Sequence, residues 1–433
     1  MRMPGLTINR RDLVLGTALI GLAGSPTRLA AQAPTRPEAH VLRAQMSPVR
    51  LAGGDRPATS LAAFDGAVPG PTIRAKRAEE VRVRLVNELN EPMGLHWHGI
   101  RLANAMDGVP HLTQRPVGPG ESFDYAFTCP DAGTFWYRAA LPGPTTRGLS
   151  GLLVVEDNAL SMADREVTLF VDAWWLSPSQ PHVRVNGAAG LDIPVRTHER
   201  LRLRVVNASG LPNAVTFERH RIVVIALDGQ PAEPLPARDS RLLLGPGNRA
   251  DIVLDAALAP GASTPITVQT DAGTHTLARL VYATDGPARA APLADPPPLP
   301  ANPLPDRMAL AAALRHELAI EAIEGKAGPW SWRPESAAAP GRPLFSARRG
   351  RVVMLALHNR TDLAATVHLH GHSFRLLDRL DDGWKPFWLD TLLLPSRSTA
   401  RIAFVADNPG RWLIEAQGIA PRPDWRAAWF EVT

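Results

Sequence analysis

The fold is decided by a stretch that occurs three times, as VRVRLVN at Val81–Asn87, as LRLRVVN at Leu201–Asn207 and as RVVMLALHN at Arg351–Asn359. Apolar and polar side chains alternate along each copy, which is typical of a half-buried β-strand. Each copy ends in Asn, a residue that favours a turn. A turn and a second alternating segment follow every copy, at 123–127, 252–254 and 402–404. Short alternating strands between frequent turns predict antiparallel β-sandwiches.

The threefold repeat predicts an all-β chain of three consecutive sandwich domains at 34–158, 159–290 and 307–433. A Pro- and Ala-rich segment at 291–306 is predicted to be a linker that prolines stiffen. The 34 glycines and 42 prolines agree with many turns and few long helices. The one helix that the sequence suggests is short, at 307–317.

The composition excludes several classes of protein. With 45% apolar and 21% charged residues, the chain has enough apolar material for buried cores. Its single cysteine, Cys129, allows neither an internal disulfide nor a cysteine-rich metal cluster. The net charge of +5 is small, and no basic run with interleaved aromatics predicts a nucleic-acid partner. No phosphate-binding or dinucleotide-binding glycine pattern stands in a suitable context, so no nucleotide cofactor is expected.

The amino terminus has the pattern of an export signal. Arg10 and Arg11 precede a mild apolar stretch, and Ala31–Ala33 (AQA) resembles a small-x-small cleavage site. The paired arginines favour the twin-arginine route, which carries folded proteins. We therefore expect residues 1–33 to be a signal peptide and the mature protein to be periplasmic. No other segment has the ~18 consecutive apolar residues of a membrane span.

Two histidine pairs carry the chemistry. His96 and His98 follow the first repeated strand, and His368 and His370 follow the third. Residues two apart on a strand point to the same face, so each pair presents two imidazoles together. Imidazole suits copper and zinc, and a domain interface could bring the two pairs face to face. The alternative is that the four rings only form hydrogen bonds within an interface.

These motifs resemble those of the multicopper oxidase family, including laccases and the copper-free members associated with cell division. The resemblance covers the predicted mature chain. It rests on HWHG at 96–99, DGVP at 107–110 and GTFWY at 133–137 in the first domain, on LRVVNA at 203–208 and GPGNRAD at 245–251 in the second, and on TVHLHGHSF at 366–374 and NPGRWL at 408–413 in the third.

The resemblance implies three cupredoxin-like Greek-key sandwiches, a type 1 copper and a trinuclear copper cluster. It assigns His96 and His368 to the type 2 copper, and His98 and His370 to the type 3 pair.

The same alignment predicts that several copper ligands are missing. Where the family has type 3 imidazoles, this chain has Arg138, Ala140, Glu415 and Gln417. The four type 1 positions fall on Ala365, Ala416, Pro421 and Arg426. A thiolate is central to that electron-transfer site, so its loss argues against laccase-type reduction of oxygen.

Two functions remain open at this point. In the first, the four imidazoles, or some of them with Glu415, bind one ion of copper or another divalent metal and support at most atypical oxidoreductase chemistry. In the second, Arg138 replaces the lost cationic charge and pairs with Glu415, and the protein is a copper-free interaction or scaffold protein. The sequence identifies neither a small-molecule substrate nor an envelope protein partner.

Overall fold

The first predicted domain folds into two four-stranded sheets. The structure is a computed structural model, and it describes residues 39–51, 57–140, 148–156, 162–177, 180–270, 273–321, 341–378, 383, 385–419 and 425–433. The predicted signal peptide at 1–33 lies outside these residues. One sheet has the order β2-β1-β4-β6 and the other β3-β8-β7-β5. Their strands are β1 His40–Val49, β2 Thr59–Phe64, β3 Gly70–Lys76, β4 Glu80–Asn87, β5 Leu95–His98, β6 Ser122–Thr128, β7 Gly133–Ala139 and β8 Ser150–Glu156.

The second sandwich pairs a six-stranded sheet, β10-β9-β12-β17-β14-β15, with a five-stranded sheet, β11-β19-β18-β13-β16. Its strands are β9 Arg165–Ser177, β10 Gln180–Val185, β11 Leu191–Val195, β12 Arg200–Asn207, β13 Asn213–Phe217, β14 Ile222–Leu227, β15 Gln230–Pro236, β16 Arg241–Leu244, β17 Arg249–Asp255, β18 Ser263–Thr270 and β19 Gly273–Tyr282.

The third sandwich pairs the sheets β20-β22-β26-β24 and β21-β28-β27-β23-β25. Its strands are β20 Leu314–Ile320, β21 Ser346–Ala347, β22 Arg351–Asn359, β23 Ala365–Leu369, β24 Arg375–Leu376, β25 Thr391–Leu394, β26 Ser398–Ala406, β27 Gly410–Gly418 and β28 Trp425–Val432. The described residues also include short 3-10 helices at Asn104–Met106, Arg238–Ser240 and Leu310–Ala312.

The repeated stretches are the central strands β4, β12 and β22. Each pairs antiparallel with the alternating segment that follows it, in β6, β17 and β26. The alternation arises because one face of each strand is buried, as in β4, where Val81, Val83 and Leu85 are inside. The three predicted sandwiches are present, but their sheets are mixed and not entirely antiparallel. The first strand of each domain, β1, β9 or β20, runs parallel to the repeated strand.

The helix predicted at 307–317 is also wrong. Only Leu310–Ala312 forms a turn of 3-10 helix, and the next residues belong to β20. Local alanine-rich sequence favours a helix, but β20 pairs with β22 from Leu314 to Ile320 and buries Leu318 and Ile320 in the core. Tertiary pairing here outweighs local propensity.

The proline-rich segment predicted to be a linker is held against the first two domains. The amide of Asn302 accepts a hydrogen bond from the backbone N–H of Ala132 at 3.0 Å. It donates to the Ala132 carbonyl and to Oε1 of Gln230, both at 2.9 Å. These contacts anchor the segment before the third domain begins. None of the helices in the described part of the chain has the length and apolar character needed to cross a bilayer.

Candidate metal centre

The strand register brings the two histidine pairs into equivalent places. In the first domain β5 pairs with β7, so that His96 lies opposite Arg138. In the third domain β23 pairs with β27, so that His368 lies opposite Glu415. Arg138 and Glu415 therefore occupy pseudo-equivalent positions, one a cation and one an anion.

All four imidazoles meet in one buried cluster. The rings of His98 and His368 stack with their centroids 3.6 Å apart, and those of His96 and His370 stack at 3.8 Å. Nε2 of His96 and Nε2 of His368 face each other at 3.2 Å. The most exposed of the four residues, His368, has 4% of its surface accessible. The two pairs thus approach across the seam between the first and third domains.

One stack is bound to Asp107, which follows the 3-10 helix at Asn104–Met106. Its Oδ1 and backbone oxygen lie 3.2 and 3.4 Å from Nδ1 of His96. Its Oδ2 lies 2.9 Å from Nδ1 of His370. Burial, followed by the charge on His370, lowers the pKa of His96 to about 3. Burial acts the same way on His370, but Asp107 and Glu415 outweigh it and raise the pKa of that ring to about 9.

The other stack is bound to residues that lead into and begin β25. Nε2 of His98 lies 2.9 Å from Oγ1 of Thr391. Nδ1 of His368 lies 3.0 Å from the same hydroxyl and 3.0 Å from the backbone oxygen of Asp390. Burial lowers the pKa of both rings, and it lowers that of His98 well below its ordinary value. Both rings are therefore neutral near pH 7.

A chain of alternating charge runs from the centre toward the outside. Asp107 contacts His370, Nε2 of His370 lies 3.4 Å from Oε1 of Glu415, and Glu415 forms an ion pair with Arg138. Nε1 of Trp425 donates to Oε2 of Glu415 at 2.8 Å. Burial opposes the charge on Glu415, but Arg138 and His370 outweigh it and hold its pKa well below the usual range.

The donor set fits a metal ion. One ligand atom each from His96, His98, His368 and Glu415 can be chosen so that all four lie within 4.8 Å of one another. Two nitrogens bound to one tetrahedral ion at about 2.0 Å lie about 3.3 Å apart, close to the separation of His96 and His368. Nδ1 of His98 is buried without a hydrogen-bond partner, so this nitrogen can accept a ligand.

The remaining positions predicted from lost type 3 ligands offer no imidazole. Ala140 is fully buried. Gln417 lies opposite Thr366 and is partly buried. The second group of possible ligands combines His96, His370 and Asp107.

Of the predicted type 1 positions, Ala365 and Ala416 lie on the opposite face of the strands that carry His368 and Glu415. Ala365 and Ala416 are 2% and 1% exposed and belong to the same apolar core as Val367. Arg426 lies opposite Ala416, and its guanidinium donates to the backbone oxygen of Glu321. Pro421 lies outside the described residues. The described positions present small apolar groups and a cation, and no sulfur.

The sequence motifs assigned no role to the residues that hold the imidazoles in place, namely Asp107, Asp390, Thr391 and Arg249. Asp107 belongs to the quoted DGVP motif and Arg249 to GPGNRAD, so both were visible but had no assigned role. The signal for Asp390 was a charged residue inside the apolar run Trp388–Leu394. A charge is rarely buried without a partner, so such a residue predicts a polar network.

Comparisons with known proteins agree with this architecture. Three family profiles, each described as multicopper oxidase, match residues 45–160, 168–282 and 313–417. The multicopper oxidase MmcO of Mycobacterium tuberculosis is 26% identical, over 94% of this chain and 91% of its own length.

Two solved structures extend the likeness to three dimensions. Lac15 from a marine microbial metagenome is 29% identical, with a TM-score of 0.78 over 91% of this chain and 100% of its own. A multicopper oxidase from Pseudomonas thermotolerans is 29% identical, with a TM-score of 0.79 over 92% of this chain and 99% of its own. Three cupredoxin-like sandwiches with a histidine cluster define the class, and the chain belongs to the multicopper oxidase family.

Proposed function

We propose that this protein binds one divalent ion, copper above all, at His96, His98 and His368 with Glu415 completing the donor set. His370 lies beside this site and belongs to its polar surroundings. The proposal includes at most an atypical oxidoreductase activity, on a small-molecule substrate that the site does not identify.

The observation that carries the proposal is the meeting of two unprotonated nitrogens. Within the described part of the chain, Nδ1 of His96 faces only oxygens of Asp107, and Nδ1 of His368 faces the carbonyl oxygen of Asp390. Carbonyl and carboxylate oxygens only accept, so both Nδ1 atoms carry the proton. Each neutral ring therefore presents a lone pair at Nε2, and the two lone pairs face each other at 3.2 Å. A cation between them removes the repulsion.

Imidazole and carboxylate donors suit Cu(II) and Zn(II). A bound copper ion would supply a one-electron acceptor. The protein's own groups fix the surroundings: Asp107 keeps the proton of His96 away from the site, and Arg138 with Trp425 holds the Glu415 carboxylate in place. The tight enclosure of the rings excludes bulk water.

The limited activity follows from the proposed loss of the type 1 copper. Ala365, Ala416 and Arg426 support that loss, because none of them can supply a thiolate or imidazole. Cys129 is buried in the apolar core, and burial raises the pKa of its thiol to about 12. Thiolate-bound copper absorbs intensely at about 600 nm, and we expect this blue band to be missing here.

Export by the twin-arginine route and a periplasmic location are part of the proposal, supported by the pattern at residues 1–33. The export route is tested by fusing residues 1–33 to a reporter protein that is active only when it is exported in a folded state. Replacing Arg10 and Arg11 by lysine should abolish the signal, and a reporter exported equally well by the lysine variant would refute the route.

A second candidate function is a copper-free interaction protein, and a specific observation favours it. The alternating charges of Asp107, His370, Glu415 and Arg138 sum to zero without any metal. In that state Glu415 is already occupied by Arg138 and Trp425. A guanidinium close to a metal-bound carboxylate also opposes the charge of the ion.

Metal analysis separates the two functions. The purified protein is loaded with Cu(II) or Zn(II), passed over a desalting column and measured for bound metal, beside the double variant His96→Ala/His368→Ala. His316→Ala, which removes an imidazole stacked on Phe345 instead, is the matched control. One ion retained by the wild type and by His316→Ala, but lost from the double variant, supports the metal site. Equal background in all three refutes it and favours the copper-free function.

A further inference from the structure

We propose that the second domain, which contributes no imidazole to the described histidine cluster, sets the proton positions of the metal centre through the relay Arg249–Asp390–Thr391. This inference rests on the proposed metal site and assigns positioning residues to it. It says that Arg249 orients His98 and His368 without touching either ligand atom.

The relay begins with a fully buried ion pair between the second and third domains. Nη1 and Nη2 of Arg249 donate to Oδ1 and Oδ2 of Asp390 at 2.8 and 2.6 Å. Nη1 also donates to the Gly247 carbonyl and Nε to the Thr134 carbonyl, so the guanidinium touches all three domains. Both carboxylate oxygens of Asp390 accept hydrogen bonds from the guanidinium, and this two-point ion pair keeps the carboxyl group ionised.

The ionised carboxylate decides the direction of one hydroxyl. Oγ1 of Thr391 donates to Oδ1 of Asp390 at 2.7 Å. A hydroxyl has one hydrogen, so its remaining capacity is to accept. The two nitrogens that approach the same oxygen, Nε2 of His98 and Nδ1 of His368, must therefore donate to it.

The consequence is a defined tautomer for His98. Its proton lies on Nε2, against Thr391, and Nδ1 is left unprotonated. Nδ1 is buried and has no hydrogen-bond partner. With the opposite tautomer, a hydrogen would occupy the position from which this ring can bind a metal. The relay thus leaves an open ligand atom on a ring that could otherwise present either nitrogen.

Backbone hydrogen bonds and the absence of a side chain at Gly99 leave room for the relay. Asp228 accepts hydrogen bonds from the backbone N–H groups of Asp390 and Thr391 at 3.3 and 3.2 Å. Gly99 follows the first histidine pair with φ of +88°, and a Cβ there would lie 2.3 Å from Nη2 of Arg249. The glycine of the HWHG motif therefore serves a backbone turn and leaves room for the buried ion pair.

The test reads the tautomer in the metal-free protein. Histidine is labelled with ¹⁵N, and the imidazole resonances of His98 are assigned by their loss in His98→Gln. In the wild type, the shifts should show a protonated Nε2 and an unprotonated Nδ1. Thr391→Val keeps the shape of the side chain but removes the acceptor, and it should populate the other tautomer and weaken Cu(II) binding about 10- to 100-fold. Thr391→Ser should restore both.

The outcomes separate this inference from the proposed function. A wild-type ring protonated at Nδ1 would overturn the relay whether or not copper binds. The expected tautomer in a protein that binds no copper would support the relay and refute the metal site. If Thr391→Val fails to fold, the wild-type tautomer and a Thr391→Ser variant with unchanged shifts still decide the question.

Discussion

Removing the positive charge of Arg138 should strengthen metal binding. Arg138 lies in β7 opposite His96, and its guanidinium pairs with Glu415, which we place among the metal ligands. The change Arg138→Gln leaves a side chain that can still hydrogen-bond to the carboxylate. It also frees Glu415 to direct its full charge at the ion.

The magnitude follows from Coulomb's law. An ion bound by Glu415 lies one carboxylate away from the guanidinium, at about 6 Å. At that distance a unit charge repels a dication by about 1.4 kcal/mol in a medium with the dielectric constant of water, and by about 5.5 kcal/mol at an effective value of 20. The lower figure corresponds to a tenfold change in affinity, so Arg138→Gln should bind Cu(II) at least tenfold more tightly.

The assay is a competition titration against a chromophoric Cu(II) chelator, combined with thermal melts of the metal-free and copper-loaded proteins. Arg138→Lys retains the charge and should stay within about threefold of the wild type. Arg84→Gln makes the same change of charge at an exposed pair with Asp124, and should have no effect. Unchanged or weaker copper binding in Arg138→Gln would refute the placement of the ion beside Glu415.

Three further predictions concern stability. Glu415→Gln leaves Arg138, which is 12% exposed, without its anion and should lower the free energy of unfolding by about 3–5 kcal/mol. The double variant Arg138→Gln/Glu415→Gln should recover part of this loss in denaturant titrations of a double-mutant cycle. Gly99→Ala should lower the melting temperature more than Gly120→Ala, since both need positive φ but only the former meets buried atoms within 4 Å. Burial raises the pKa of Asp172 to about 7, so its protonated form stabilises the native state below pH ~4 and this contribution is lost as the pH rises through 7. Relative to Asp172→Asn, the wild type should lose up to about 4 kcal/mol across that range in melts from pH 4 to 8.

The sequence predicts the sandwiches well because their signal is local. The alternation at Val81–Asn87 and its two copies depends only on which face of a strand is buried. The same alternation does not predict which strand pairs with it in the sheet. The parallel pairing of β1 with β4 joins segments far apart in the chain and has no local signature. The helix expected at 307–317 failed for the same reason, since pairing with β22 decides the structure of Leu314–Ile320.

The imidazoles were predictable and their partners were not. Residues two apart on a strand share a face, so each His-x-His pair could be placed from sequence alone. Asp107 reaches His370 across 263 positions, and Arg249 reaches Asp390 across 141. Such contacts depend on how whole domains pack. The resemblance located the residues, but only the packing shows which nitrogen of each ring is left to bind a ligand.

The two stacked ring pairs differ in a way that decides where an ion can sit. In the stack of His96 on His370, a proton on His370 already neutralises part of the charge on Asp107 and Glu415. In the stack of His98 on His368 both rings are neutral, and Arg249 neutralises the Asp390 carboxylate beside them. Unprotonated nitrogens therefore collect on the side of His98 and His368, joined by Nε2 of His96. An ion bound there would also meet Glu415, so the proposed metal site and the ion pair with Arg138 would share one carboxylate.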